Sequence, residues 1–191
     1  AGVGHVFLAS SAAVYGPVSA PAAEDAPVAP ANPYGASKAA METFAEGWAA
    51  GAGRPGVTCL RIGNVAGAAA LLGGVAPGRE VVLDRFPDGT TPARSYAGPE
   101  TFAMILARLV DLAVDGAPLP FRLNLAAPGV VQMGALLDAA GIAWTPRPAP
   151  AGALPALPLD TLLLAGLVPF RGDEGTARCI AAEWARIGNP R

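Results

Sequence analysis

The sequence predicts an α/β protein built on a parallel sheet, and three observations carry that prediction. A short uninterrupted apolar run at 5–9 (HVFLA), preceded by glycines and followed by Ser10-Ser11, has the pattern of a strand covered on both faces. Asn32-Pro33 then supplies a helix cap and a proline at the first helical position, and apolar residues continue at helical spacing to residue 50. Beyond the glycine- and proline-rich break at 51–56, the run 57–62 (VTCLRI) predicts a second strand. Strand, helix and strand in that order dictate a right-handed parallel crossover.

The remaining elements follow in chain order. Glycine and proline punctuate 63–99, which predicts irregular chain carrying binding groups, with one short strand at 80–83 and a charged loop at 84–94. Helical spacing of Phe102, Ile105, Leu106, Leu109 and Leu112 predicts a helix over 99–114, and 122–126 (RLNLA) reads as a third strand. A further helix is expected at 133–140, ended by Gly141. Five prolines within 146–158 predict an extended linker ahead of two helical stretches at 161–167 and 175–186.

Composition narrows the function classes. The chain has 191 residues, 52% hydrophobic and 15% charged, with a net charge of -2, enough apolar material for a buried core. Its 13 basic and 15 acidic residues form no cluster, so neither nucleic acid nor an anionic membrane is an expected partner. No apolar stretch approaches the roughly 20 residues a membrane span needs. Cys59 and Cys179 lie far apart and His5 is the single histidine, so no metal site is expected and both thiols read as buried and free. No secretory signal is evident, which makes the cytoplasm the expected compartment.

The residues most suggestive of chemistry are Tyr34 and Lys38 in Tyr34-Gly-Ala-Ser-Lys38, one helical turn apart at the start of the capped helix. Side chains at i and i+4 share a face, so the ammonium can favour the phenolate and let the tyrosine act as acid and base. Ser11, at the end of the preceding strand, can hydrogen-bond the same substrate oxygen. The competing reading is an ordinary solvated pair on a helix surface. Against it, Lys38 is the only lysine in a chain with twelve arginines.

Three segments in order, 6–16 (VFLASSAAVYG), 32–38 (NPYGASK) and 60–67 (LRIGNVAG), resemble the extended short-chain dehydrogenase/reductase family, specifically its NAD-dependent epimerase/dehydratase branch. Weaker similarity runs through 94–103, 123–129, Asp160 and 167–169. The resemblance implies the C-terminal part of a Rossmann-like doubly wound parallel sheet with a smaller substrate-binding portion. It assigns 1–67 to the dinucleotide-binding domain and 68–191 mainly to substrate binding, with the strand near 122–126 returning to the Rossmann sheet. It further implies Ser11, Tyr34 and Lys38 as the catalytic triad, with Ser10, Tyr34, Lys38 and Gly63 along an NAD or NADP cofactor. Ser11, Asn64 and Arg94 would then face a sugar or nucleotide-sugar substrate, Arg94 reaching a phosphate with its fork of donors. Helices of this family, including the one bearing the tyrosine, often pair, so the resemblance also allows a homodimer.

Two departures qualify that picture. Positions where the family's sugar dehydratases carry acids are Ala12 and Ala13, which removes the general acid and base for eliminating water. No glycine fingerprint opens a helix after a strand, so the pyrophosphate cradle is expected to lie outside this sequence, in an N-terminally incomplete dinucleotide-binding domain. The leading expectation is an NAD(P)-dependent epimerase or oxidoreductase. The alternatives are a small carbonyl or alcohol reductase using the same residues, or a non-catalytic remnant or binding module.

Overall fold

The computed structural model describes residues 2–74 and 80–187. Strand β1 (His5–Ser11) passes through a 3-10 turn (Ala12–Val14) and a long loop into helix α1 (Pro33–Ala49), and β2 (Gly56–Ile62) returns parallel to β1. Short pieces follow: β3 (Asn64–Val65), α2 (Ala70–Gly73), β4 (Val81–Arg85), β5 (Ala93–Arg94) and β6 (Tyr96–Ala97). Helix α3 (Pro99–Val114) leads to β7 (Arg122–Leu125), then β8 (Val131–Gln132) and α4 (Met133–Ala139). Next come β9 (Trp144–Pro148), β10 (Ala156–Leu157), α5 (Leu162–Leu167) and α6 (Ala177–Arg186).

The main sheet is parallel, in the order β1-β2-β7, with β2 at its centre. Alternation along β2 explains why it sits there. Val57 and Cys59 pack with Ala45 and Trp48 of α1, while Leu60 packs with Ile105, Leu109, Leu123 and Leu164 on the other face. A strand covered on both faces must be apolar in both registers, and VTCLRI nearly is. The chain thus has the α/β architecture with parallel strands that the crossover argument requires. On the outer side, β1 pairs only with β2 among the described strands, and Val6, Leu8, Met41, Phe44 and Trp48 line an apolar groove of about 290 Å³.

The second lobe has its own core, in which Ala66, Leu72, Leu83, Tyr96, Leu136, Leu137, Ile180 and Trp184 meet. Its strands are short: β5 lies between β10 and β8, β3 pairs with β6, and β4 pairs with β9. The expected linker at 146–158 is therefore partly sheet, since β9 pairs in parallel with β4 from Val81↔Trp144 to Arg85↔Pro148. Pro146 and Pro148 are two apart and share one edge of the strand, whereas the next odd position, Ala149, donates its N–H to Arg85 O at 3.0 Å. Prolines confined to the outward edge leave the ladder intact. The strand expected at 80–83 runs instead over Val81–Arg85, taking in two charged residues that β9 partly answers through the Arg147–Asp84 ion pair at 2.6 Å. Cys59 is buried as expected, but Cys179 is half-exposed on α6, where its Sγ lies 3.7 Å from Glu183 Oε1. No helix among the described residues is long and apolar enough to cross a membrane.

The one charged residue of β2, Arg61, is 1% exposed and organises a buried polar network. Its guanidinium donates to both carboxylate oxygens of Glu42 on α1, with Nη2 to Oε2 at 2.7 Å and Nε to Oε1 at 3.0 Å. Its Nη1 donates to Tyr15 Oη and to Glu24 O, each at 2.9 Å. Tyr15 in turn donates to Asn124 Oδ1 of β7 at 2.7 Å, and Asn124 Nδ2 donates to Ala22 O and Asp160 O at 2.8 Å. Burial pushes the Glu42 carboxyl upward, but hydrogen bonds from Arg61 and Ser10 and the charges of Arg61 and Arg122 outweigh it and hold it below its ordinary value.

A lowered carboxyl stabilises the fold fully above its ordinary value and loses that contribution as pH falls through the lowered one. Urea unfolding should therefore show stability declining below about pH 5, with a shallower decline in Glu42→Gln. Glu42→Ala leaves the Arg61 guanidinium buried and unpaired and should cost about 3–5 kcal/mol in the same measurement at neutral pH.

Candidate active site

Three local features place side chains at the carboxyl end of β1. Ser11 ends the strand and caps the following turn, its Oγ accepting from Ala13 N at 3.2 Å. Asn32 caps α1 through Oδ1, which accepts from Gly35 N at 2.8 Å, and Pro33 takes the first helical position. Gly35 lets the helix start lie directly on the turn, since a Cβ there would collide with the Ala13 carbonyl oxygen. Tyr34 is carried by this contact to the mouth of a cavity of about 230 Å³ that Ser11 also lines.

The same cavity is lined by Gly63, Asn64 and Arg94. Gly63 follows β2, and a Cβ on it would sit 2.6 Å from Ser95 O, so glycine is what allows the second lobe to approach. The Asn64 main-chain N–H donates to that same Ser95 oxygen at 2.9 Å. Five sequence-predicted residues, Ser11, Tyr34, Gly63, Asn64 and Arg94, therefore converge on one concavity at the carboxyl ends of β1 and β2, the end at which open α/β sheets bind ligands. Among the described residues no carboxylate lines it; Ala12 and Ala13 occupy that wall.

Lys38 lies on the Tyr34 side of α1, with Nζ 5.7 Å from the centre of the tyrosine ring. It donates to Ala9 O at 2.8 Å, a backbone carbonyl rather than an acid, so its charge is not neutralised at that contact. Tyr34 itself is 57% exposed, which leaves the phenol open to a ligand.

Two predicted residues are engaged elsewhere. The Ser10 side chain is 3% exposed and donates to Glu42 Oε1 at 2.5 Å, away from the cavity. The Arg94 fork is spent on main chain: Nη1 donates to Ala93 O at 2.7 Å and Nη2 to Leu154 O at 3.0 Å. Burial lowers the Arg94 guanidinium from its ordinary value, and these carbonyls tie β5 to the chain entering β10. Sequence reasoning missed Glu42 and Arg61, the pair on which α1 is seated. An arginine inside an otherwise apolar strand was the available signal, because a buried guanidinium demands an acid.

A larger cavity of about 380 Å³ lies beside α3 and α6, near Glu100, Thr101, Glu174 and Glu183. Its acids already have partners: Glu183 accepts from Thr101 N and Oγ1, Glu174 from Arg171 N and Gly172 N, and Glu100 from Arg186. The smaller cavity is the one that gathers groups able to move a proton. Among the described residues no group of histidine, cysteine and acidic side chains could hold a metal ion.

Comparison with known proteins bears on the same region. Residues 1–78 match the model of the NAD dependent epimerase/dehydratase family. Over 69 residues, 36% of this chain and 20% of the relative, the chain is 51% identical to UDP-glucose 4-epimerase of Azospirillum brasilense. Its fold resembles the Thermus thermophilus UDP-glucose 4-epimerase solved with NAD, at 27% identity and TM-score 0.70, covering 95% of this chain and 64% of that one. The NAD dependent NDP-hexosamine 5,6-dehydratase TunA, involved in tunicamycin biosynthesis, shares the fold at TM-score 0.73 and 22% identity, covering 97% of this chain and 64% of that one. The chain thus spans less than two thirds of the length of the proteins it matches. Residues 1–78 thus match the NAD dependent epimerase/dehydratase family, and the fold along 95% of the chain is shared with a solved UDP-glucose 4-epimerase.

Proposed function

We propose that the cavity is the reaction centre of an NAD-dependent nucleotide-sugar epimerase, with Tyr34 as acid and base, Ser11 as hydrogen-bond partner of the reacting oxygen and Lys38 as the supporting charge. The observation that carries this reading is the convergence of Ser11 and Tyr34 on one concavity with the chain's only lysine beside the tyrosine ring. Relatives named as UDP-glucose 4-epimerases support the substrate class, and a wall of Ala12 and Ala13, with no carboxylate among the described lining residues, favours epimerisation over loss of water.

NAD, when bound, would supply the hydride acceptor and donor for the sugar carbon. Lys38, beside the Tyr34 ring, and the backbone at Gly63, which lines the cavity with Tyr34, would hold its nicotinamide-ribose end. Tyr34 takes the proton from the sugar hydroxyl and gives it back to the same oxygen once the other face is presented. Ser11 donates to that oxygen as charge moves across it. The Lys38 ammonium stabilises negative charge on the phenol oxygen and stays in place through its bond to Ala9 O. Asn64 and Arg94 lie on the substrate side, with Arg94 shaping the wall through the carbonyls it holds. The family resemblance allows a homodimer.

A second reading, a one-way reductase or dehydrogenase of a small carbonyl or alcohol, draws on one observation. The Arg94 donors are occupied by carbonyl groups, so a substrate phosphate would have to compete for them. The readings separate on cofactor balance: an epimerase converts UDP-glucose and UDP-galactose into one another with no net change in nicotinamide absorbance, and a steady change contradicts it.

In the intact enzyme, Tyr34→Phe should lower kcat by about 10²–10⁴. Its circular dichroism should be unchanged, because the phenol is exposed and makes no described structural bond; an active Tyr34→Phe enzyme would contradict the assignment. The described residues offer only one end of the cofactor a seat. Calorimetric titration of this 191-residue chain with NAD should accordingly give an affinity weaker than about 1 μM.

A further inference from the structure

Tyr34, Lys38 and Glu42 stand at i, i+4 and i+8 on α1, along one side of the helix. The latter two reach consecutive residues of β1. Lys38 Nζ donates to Ala9 O at 2.8 Å, and Glu42 Oε1 accepts from Ser10 Oγ at 2.5 Å. Ser11, the next residue, lines the cavity. Arg61 lies opposite Ser10 in the β1-β2 register and grips both oxygens of Glu42.

We propose that Glu42 and Arg61 are positioning residues for the reaction, setting the place of α1 so that Lys38 and Tyr34 stand against the end of β1. The proposal rests on the catalytic reading above. A buried ion pair adds little stability over apolar residues of similar volume, but a two-pronged guanidinium-carboxylate contact fixes direction as well as distance. Here every described bond of Glu42 runs to the sheet side: Ser10 on β1, Arg61 on β2 and, at 3.5 Å, Arg122 on β7. Removing the carboxylate frees α1 to shift relative to β1 while its cap at Asn32 and its apolar contacts at Ala45 and Trp48 persist. The first bond to loosen is the Lys38–Ala9 contact, one helical turn away.

Peptide mass mapping, which separates Lys38 from the α-amino group, makes this measurable without turnover. Reductive methylation of Lys38, timed against Nα-acetyl-lysine in the same tube, reports how often the amine leaves Ala9 O. Under conditions where circular dichroism shows each protein folded, Glu42→Gln should accelerate labelling about tenfold and Ser10→Ala, which removes one bond and no charge, about threefold. Leu136→Ala, in the core of the second lobe, is the control for general loosening and should leave the rate unchanged. Rates within about twofold of the unaltered chain for both Glu42→Gln and Ser10→Ala overturn the proposal, as does equal acceleration by Leu136→Ala. Should Glu42→Gln fail to fold, Ser10→Ala decides alone. Failure of the catalytic reading would appear separately, as undiminished turnover by Tyr34→Phe with the labelling pattern intact.

Discussion

A guanidinium and a carboxylate buried beneath the sheet, Arg61 and Glu42, bind together the parts of the chain that carry chemistry. Neither can stay inside without the other, because an unpaired charge there has no water to stabilise it. Their pairing holds α1 to β1 and β2, and the remaining Arg61 donors extend the same network to Tyr15 and Glu24 in the loop before α1. Asn124 carries it on to β7 and to the main chain at Asp160. The network thus fixes β1, the loop before α1, α1, β2 and β7 to one another in the lobe that carries Ser11 and Tyr34.

Close approach is the second constraint. Gly35 lets the helix start touch the turn at Ala13, and Gly63 lets β2 touch Ser95. Both are places where a methyl group would push apart walls of the cavity. Apolar packing assembles the lobes, but it is these contacts, together with the polar network, that bring an exposed phenol and a strand-end hydroxyl to a common space.

Much of this was legible in the sequence. The crossover from 5–9 to 57–62 followed from two apolar runs and a capped helix, and the helix starts within a residue of the Asn-Pro signal because capping is local chemistry. Tyr34 and Lys38 were legible for the same reason, since helical spacing alone puts them side by side. Long-range pairing was not. Nothing within a few residues of Arg61 names Glu42, 19 positions away, or Asn124 as the partner of Tyr15, 109 positions away. The prolines of β9 hid a strand because edge pairing depends on which side the missing N–H groups face. Arg94 looked free for a phosphate because main-chain carbonyls from 154 and 155 leave no mark in the sequence around it.

The proposed chemistry depends on where the substrate oxygen sits. A crystal structure of the intact enzyme with NAD and a nucleotide-sugar tests that most directly. The account predicts the reacting sugar oxygen within about 3.2 Å of both Tyr34 Oη and Ser11 Oγ, with Lys38 still bonded to Ala9 O. A sugar seated beside α3 and α6, or bound with the Tyr34 hydroxyl turned away to solvent, would contradict it.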